Sequence, residues 1–190
     1  MIDSLLAEAA FLGRAAWTTE TAAYVTANGI DLDALNRHAG VIAIMGCHFF
    51  GNGSFEIDEE EGKPAAVIEV YAEDDETAID VCAWPIGNPD TFATMLGADA
   101  LGIARVVNPA TWALGGVLSV HRTPLRWLQA GCQGCCVLDH RYVSVWLGGV
   151  PGAIQAEDIE HARQLDAWLN PPRFDRRRIL IPRGGERQAA

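Results

Sequence analysis

The sequence predicts an α+β fold, and three observations predict it. Apolar residues in the first forty positions recur at helical spacing. From residue 41 to 86 they gather into short strand-like runs broken by hairpin turns. Beyond residue 87 helical and strand-like segments alternate. Over 190 residues this describes a single domain: helices in 1–40, a four-stranded antiparallel meander in 41–86, αβ units in 87–182 extending a mixed sheet, and a polar tail at 183–190.

The first helix is expected after Asp3 or Ser4, with Leu5, Leu6, Ala9 and Leu12 on one side. A second should start near Thr19 and stop at Asn28-Gly29. Asp31 can cap a short third helix ending at Gly40. "VIAIMGCHFF" then reads as a buried strand, and "GNG" turns it into "SFEID". "PAAVIEVYA" and "TAIDVCAWPI", joined through "EDDE", make a second hairpin. Three helix-then-strand units should follow: "PDTFATMLGADALGIARVV", "TPLRWLQAGCQGCCVLD" and "AEDIEHARQLDAWLNPPRFDRRRILIP". In the last, Ile159, Ala162, Leu165 and Leu169 line one helix face, and "RFDRRR" is a polar lead into a final strand.

Charge is segregated. The net charge is −11, with eighteen acids and three bases in residues 1–104 against seven and eleven in 105–190. A strongly acidic chain has no general attraction for nucleic acid, so no direct nucleic-acid contact is expected. No apolar run approaches the ~20 residues that cross a bilayer, so no membrane partner is expected. "MIDSLLAEAAFLGR" lacks a basic leader and carries Asp3 and Glu8, so it reads as a helix rather than a signal peptide. The expected compartment is the cytoplasm, where the five cysteines stay reduced.

The most chemical-looking stretch is "GCQGCC", residues 131–136. As a metal site it would offer Cys132 and Cys135, with His140, His121, Cys136 or the Cys47-His48 dipeptide completing four ligands. As a redox site it would be a C-x-x-C dithiol. As plain structure it is a helix end at Gly131 or Gly134, followed by a buried strand in which cysteine behaves as a small hydrophobe. The spacing favours the last reading. Adjacent Cys135 and Cys136 on a strand face opposite ways, and the motif follows a helix instead of opening one.

Nothing in the sequence calls for a cofactor. The G-x-G of "FFGNGSFE" lacks a third glycine and a following helix, and the chain's single lysine, Lys63, lies outside any P-loop. A nucleophile, base and orienting acid can be drawn from Cys132, His121 and Asp139. Asp139 ends a strand, where a carboxylate either faces a cleft or caps a turn. The tract 56–80 holds eleven acids and one base. Pairing its strands about "EDDE" sets Glu69 opposite Asp80, an unfavourable like-charge pair. With Asp74 and Asp75 these acids form a face that is solvated, covered by arginine from the second half, or a contact for a divalent cation or a basic protein partner.

The stretches "VHRTPLRWLQAGCQGCCVLD", "AEDIEHARQLDAWL" and "RILIP" resemble segments of short uncharacterised proteins of bacterial prophages and plasmids, often encoded beside primase–helicase genes. The resemblance spans roughly residues 85–182 and implies a mobile-element accessory role with no assigned activity or site residues. In such relatives the paired cysteine positions can be ordinary apolar residues. The leading expectation is therefore an accessory or interaction protein, tied through this resemblance to phage or plasmid DNA processing, that presents its acidic sheet face to a basic partner. The alternative is a small hydrolase or metal-dependent enzyme with its site near Asp139 and His121. A pocket at Asp139 favours the enzyme, and a flat acidic sheet favours the binder.

Overall fold

The computed structural model describes residues 17–38 and 40–171. The expected first helix, the "RFDRRR" lead and the final "ILIP" strand lie outside the described residues. Within them the fold is α+β, built on two sheets.

Thr18 caps the first described helix, α1 (Thr19–Ala27), by accepting the Thr21 N–H at 3.1 Å. Helix α2 (Leu32–His38) follows, and Asp31 accepts the N–H groups of Asp33 and Ala34. Gly40 then turns the chain with φ +61°. That left-handed backbone favours glycine, and a Cβ there would lie 2.1 Å from a Glu69 carboxylate oxygen, which a side chain would have to displace.

Strands β1 (Ile42–Phe49), β2 (Phe55–Ile57), β3 (Lys63–Tyr71) and β4 (Ala78–Pro85) form the two expected hairpins. They do not form a meander. β3 returns to the far side of β1, and the sheet runs β2-β1-β3-β4-β5, all antiparallel. The fifth strand, β5 (Ala93–Thr94), comes from a segment expected to be helical.

The first αβ unit is thus not a helix followed by a strand. It gives β5, then β6 (Ala100–Leu101), then the short helix α3 (Ile103–Val107). The cause is Asp80. Its carboxylate accepts N–H bonds from Val81, Met95, Leu96 and Ala98 at 2.7–3.1 Å and pins the loop that a helix would have used.

The expected hairpin register is also off by one residue. Val70 pairs with Asp80 and Glu69 with Val81, so the two acids lie on opposite faces of the sheet. Each is 4% exposed. Glu69 accepts from Tyr71 Oη at 2.9 Å and from the Val41 N–H. Loop N–H groups, a neighbouring hydroxyl and the alternating pleat relieve the acids. Among the described residues, Arg105 is linked to the hairpin turn through His38: its Nη2 lies 3.2 Å from His38 Nε2, and His38 Nδ1 lies 3.1 Å from Asp75.

One face of the first sheet, with Ile42, Ile68, Val70, Cys82 and Trp84, packs on Tyr24, Val25 and Leu35 of α1 and α2. Trp84 Nε1 donates to Tyr24 Oη at 2.8 Å, so the largest buried side chain there leaves no donor orphaned. The same core takes in Leu101 and Cys136 of the second sheet. That sheet runs β6-β8-β7-β9, with β7 (Val117–His121), β8 (Cys135–Val137) and β9 (Ala153–Gln155) mutually parallel and β6 antiparallel at one edge. The later units build a sheet of their own instead of extending the first. Helix α4 (Pro109–Trp112) precedes β7, and helix α5 (Pro124–Gln129) links β7 to β8 as expected. Helix α6 (Val143–Trp146) precedes β9, and α7 (Ile159–Leu169) follows it.

Asp80 therefore organises the passage between the sheets. Replacing it with Asn halves its acceptors and sets an amide NH2 against N–H donors. Asp80→Asn should lower unfolding stability by about 1–3 kcal/mol, the cost of buried unpaired donors. A urea titration checks this; an unchanged midpoint would contradict it.

Candidate functional site: a histidine cleft at the ends of the parallel strands

The parallel strands lie in the order β8-β7-β9, the second in sequence beside the first and the third on its other side. The chain leaves the first strand in one direction and returns past it in the other. In open α/β sheets, ligands bind at the carboxyl ends of strands flanking such a reversal. Here His121 ends β7 with Arg122 just after it, Glu157-Asp158 follow β9, and a cleft of about 440 Å³ opens beside them.

Local chemistry fixes each side chain. Asp158 caps α7 by accepting the His161 N–H at 2.8 Å, and the same oxygen accepts Arg122 Nη2 at 2.6 Å. These bonds hold the Asp158 carboxyl below its ordinary range, the helix N–H more than the arginine. Glu157 uses one oxygen for the Arg122 N–H at 3.2 Å and for His121 Nδ1 at 3.4 Å. His121 Nε2 lies 2.8 Å from the Gln133 carbonyl oxygen. Both nitrogens of His121 thus face oxygens.

His161 is the buried member, 1% exposed. Its Nδ1 accepts the Glu157 N–H at 3.3 Å, so in the neutral ring the proton sits on Nε2. Nε2 has no partner among the described residues, and the ring lines the cleft. Burial first, and the Arg122 charge second, hold His161 below the ordinary histidine value. His140 stacks on Trp168, with ring centroids 5.5 Å apart.

The residues singled out in the sequence divide among several places. His121 and His140 line the cleft. Asp139 lies in an adjoining cleft of about 590 Å³ that shares Leu138 and His140 with the first. There it caps a 3-10 turn at 140–142 and pairs with Arg141, whose hydrogen bonds hold its carboxyl low. Cys132 is in the core shared by the two sheets, where burial pushes its thiol up to about 12. The triad of Cys132, His121 and Asp139 is therefore not assembled: the three point into a core, one cleft and its neighbour.

The metal candidates do not converge either. Cys135 packs in the outer core with Leu118, Val137 and Leu165, while Cys132 and Cys136 pack in the inner one. His140 stands at the cleft. Among the described residues no three His, Cys, Asp or Glu side chains are grouped to hold a metal ion. Of the partner-binding candidates, Glu69 and Asp80 are buried, whereas Asp74 and Asp75 stand in the β3–β4 turn. Asp74 is held near a pKa of about 2 by the Thr77 hydroxyl and N–H and the Glu76 N–H.

Sequence reading missed Arg122, Glu157, Asp158 and His161. It placed Ile159 and Ala162 on the buried face of the last helix, yet both are exposed, and His161, Leu165 and Trp168 face inward. A polar residue took a core position because the Glu157 N–H satisfies it. The available signal was the strand "VLSV" before "HRT"; it becomes readable only once three parallel strands are placed.

Comparison of the chain with protein-family models, curated proteins and solved structures found no match.

A base held below its ordinary value in the fold binds its proton more readily in the unfolded chain. Its contribution to stability is complete above the ordinary value of 6.5 and is lost as pH falls through the folded value. Thermal melts should show the wild type losing stability as pH falls below about 6.5 relative to His161→Asn, which keeps an acceptor for the Glu157 N–H without the titration. Parallel pH profiles would contradict the assignment.

Proposed function

We propose that the protein binds a small molecule carrying an oxyanion, a phosphate or a carboxylate, in the cleft at the carboxyl ends of β7, β8 and β9. One observation carries the reading: His161 is buried, its Nδ1 is committed as an acceptor, and its Nε2–H is left at the cleft as a donor without a partner among the described residues. A fixed donor that opens to the cleft and lacks a partner among the described residues suits an acceptor supplied by a ligand. Arg122 adds charge beside it: among the described residues its guanidinium bonds Asp158 through Nη2 alone, which leaves further N–H groups for a second oxygen. His140 lines the same cleft.

This reading keeps the location of the enzyme alternative and drops its nucleophile, because among the described residues no cysteine or serine lines the cleft. The other expectation, an acidic face for a basic partner, would have to rest on the exposed turn Glu73–Glu76, since Glu69 and Asp80 are buried. Fixed charge at Asp74 favours that turn as the contact.

Calorimetric titration with inorganic phosphate at low salt tests the cleft. Binding should weaken about tenfold or more in both Arg122→Ala and His161→Asn, equivalent to roughly 1.4 kcal/mol or more. Equal affinity in wild type and both variants would overturn it.

A further inference from the structure

We propose that the cleft ligand is a mononucleotide-class molecule, a heteroaromatic ring joined to a single phosphate; this rests on the oxyanion reading above. Two aromatic rings line the same cleft as Arg122 and His161. Phe92 follows β4 and packs against the core between the sheets, whereas Trp168 belongs to α7 and packs against the outer core. The two rings thus reach the strand ends from opposite faces of the second sheet. Both are only partly buried, so each retains aromatic surface that packing has not consumed. Trp168 is held in orientation by the His140 stack, 5.5 Å between centroids and 22° between planes. A planar heterocycle gains on such surfaces whatever its identity, because every base has a π face.

The polar lining narrows the class further. Asp90 and Gln164 border the same cleft and are exposed there. A carboxylate accepts from an exocyclic amine, and a side-chain amide both donates and accepts, which matches the edge of an amino-substituted heterocycle. The charge balance selects one phosphate rather than several. Among the described residues Arg122 is the one arginine that lines the cleft, it is already bound to Asp158, and Asp90 borders the same space, so a triphosphate or a nucleic-acid strand would bring more negative charge than the site offsets. The volume of about 440 Å³ lies in the range of small-molecule sites and suits a ligand of this size.

The full chain is titrated by calorimetry and tryptophan fluorescence with adenylate, ribose phosphate, adenosine and inorganic phosphate. Adenylate should bind about tenfold tighter than ribose phosphate or adenosine and should quench fluorescence. In Trp168→Leu its affinity should fall to that of ribose phosphate, with inorganic phosphate binding unchanged. Phe92→Leu should act in the same direction and serves where the tryptophan variant does not fold. Ribose phosphate binding as tightly as adenylate would overturn the heteroaromatic assignment while leaving the oxyanion reading intact. Adenosine binding as tightly as adenylate would overturn both, as would the absence of binding by all four probes.

Discussion

Backbone packs directly on backbone at Gly134, and the second sheet depends on that contact. Gly134 has φ +76°, and a Cβ there would lie 2.0 Å from the Ser119 carbonyl oxygen of β7. Its own carbonyl oxygen accepts Trp127 Nε1 at 3.3 Å and abuts Gly102, just after β6. Three strands and a helix therefore meet at one residue with no side chain. The preceding residues Gly131 and Cys132 are also left-handed, so the chain reverses tightly after α5 and lays β8 parallel to β7. The stretch that looked like a metal or redox motif owes its form to its glycines. The cysteines fill the space on either side of the strand they begin.

The cleft follows from that reversal. With β8 set beside β7, the Gln133 carbonyl comes within 2.8 Å of His121 Nε2 and fixes the ring at the strand end. β9 on the other side brings Glu157 to the opposite nitrogen and Asp158 to Arg122. Asp158 also starts α7, and the first turn of that helix carries His161 to the same place. Each polar group is thus oriented by an interaction that also builds the fold. Such sites are set before a ligand arrives, which spares the ordering cost of binding.

Much of the fold was legible because local rules govern it. Thr18 and Asp31 cap helices as their residue types suggest, and the hairpins fall where "GNG" and "EDDE" place them. The hairpin register was not legible. A bulge between Val70 and Tyr71 shifts the pairing, and period-two patterns cannot place a bulge. Strand β5 was hidden for a related reason: "TFATML" has acceptable helix composition, and it is held extended by pairing with β4 and by the Asp80 carboxylate, both distant in sequence. His121 was visible as a candidate, but its partners were sought among Cys132 and Asp139. Its real neighbours, Glu157 and Gln133, lie 36 and 12 residues away and meet it only through parallel pairing.

The account turns on the cleft's donors being set by the fold, and His161 is the decisive one. Long-range proton–nitrogen NMR of the histidine rings in the unliganded protein, at a pH where this ring is neutral, reads the tautomer directly. The account predicts that His161 carries its proton on Nε2, with Nδ1 shifted as an acceptor of the Glu157 N–H. A proton on Nδ1 would mean that the ring is held the other way round, and the cleft would lose the donor on which its function depends.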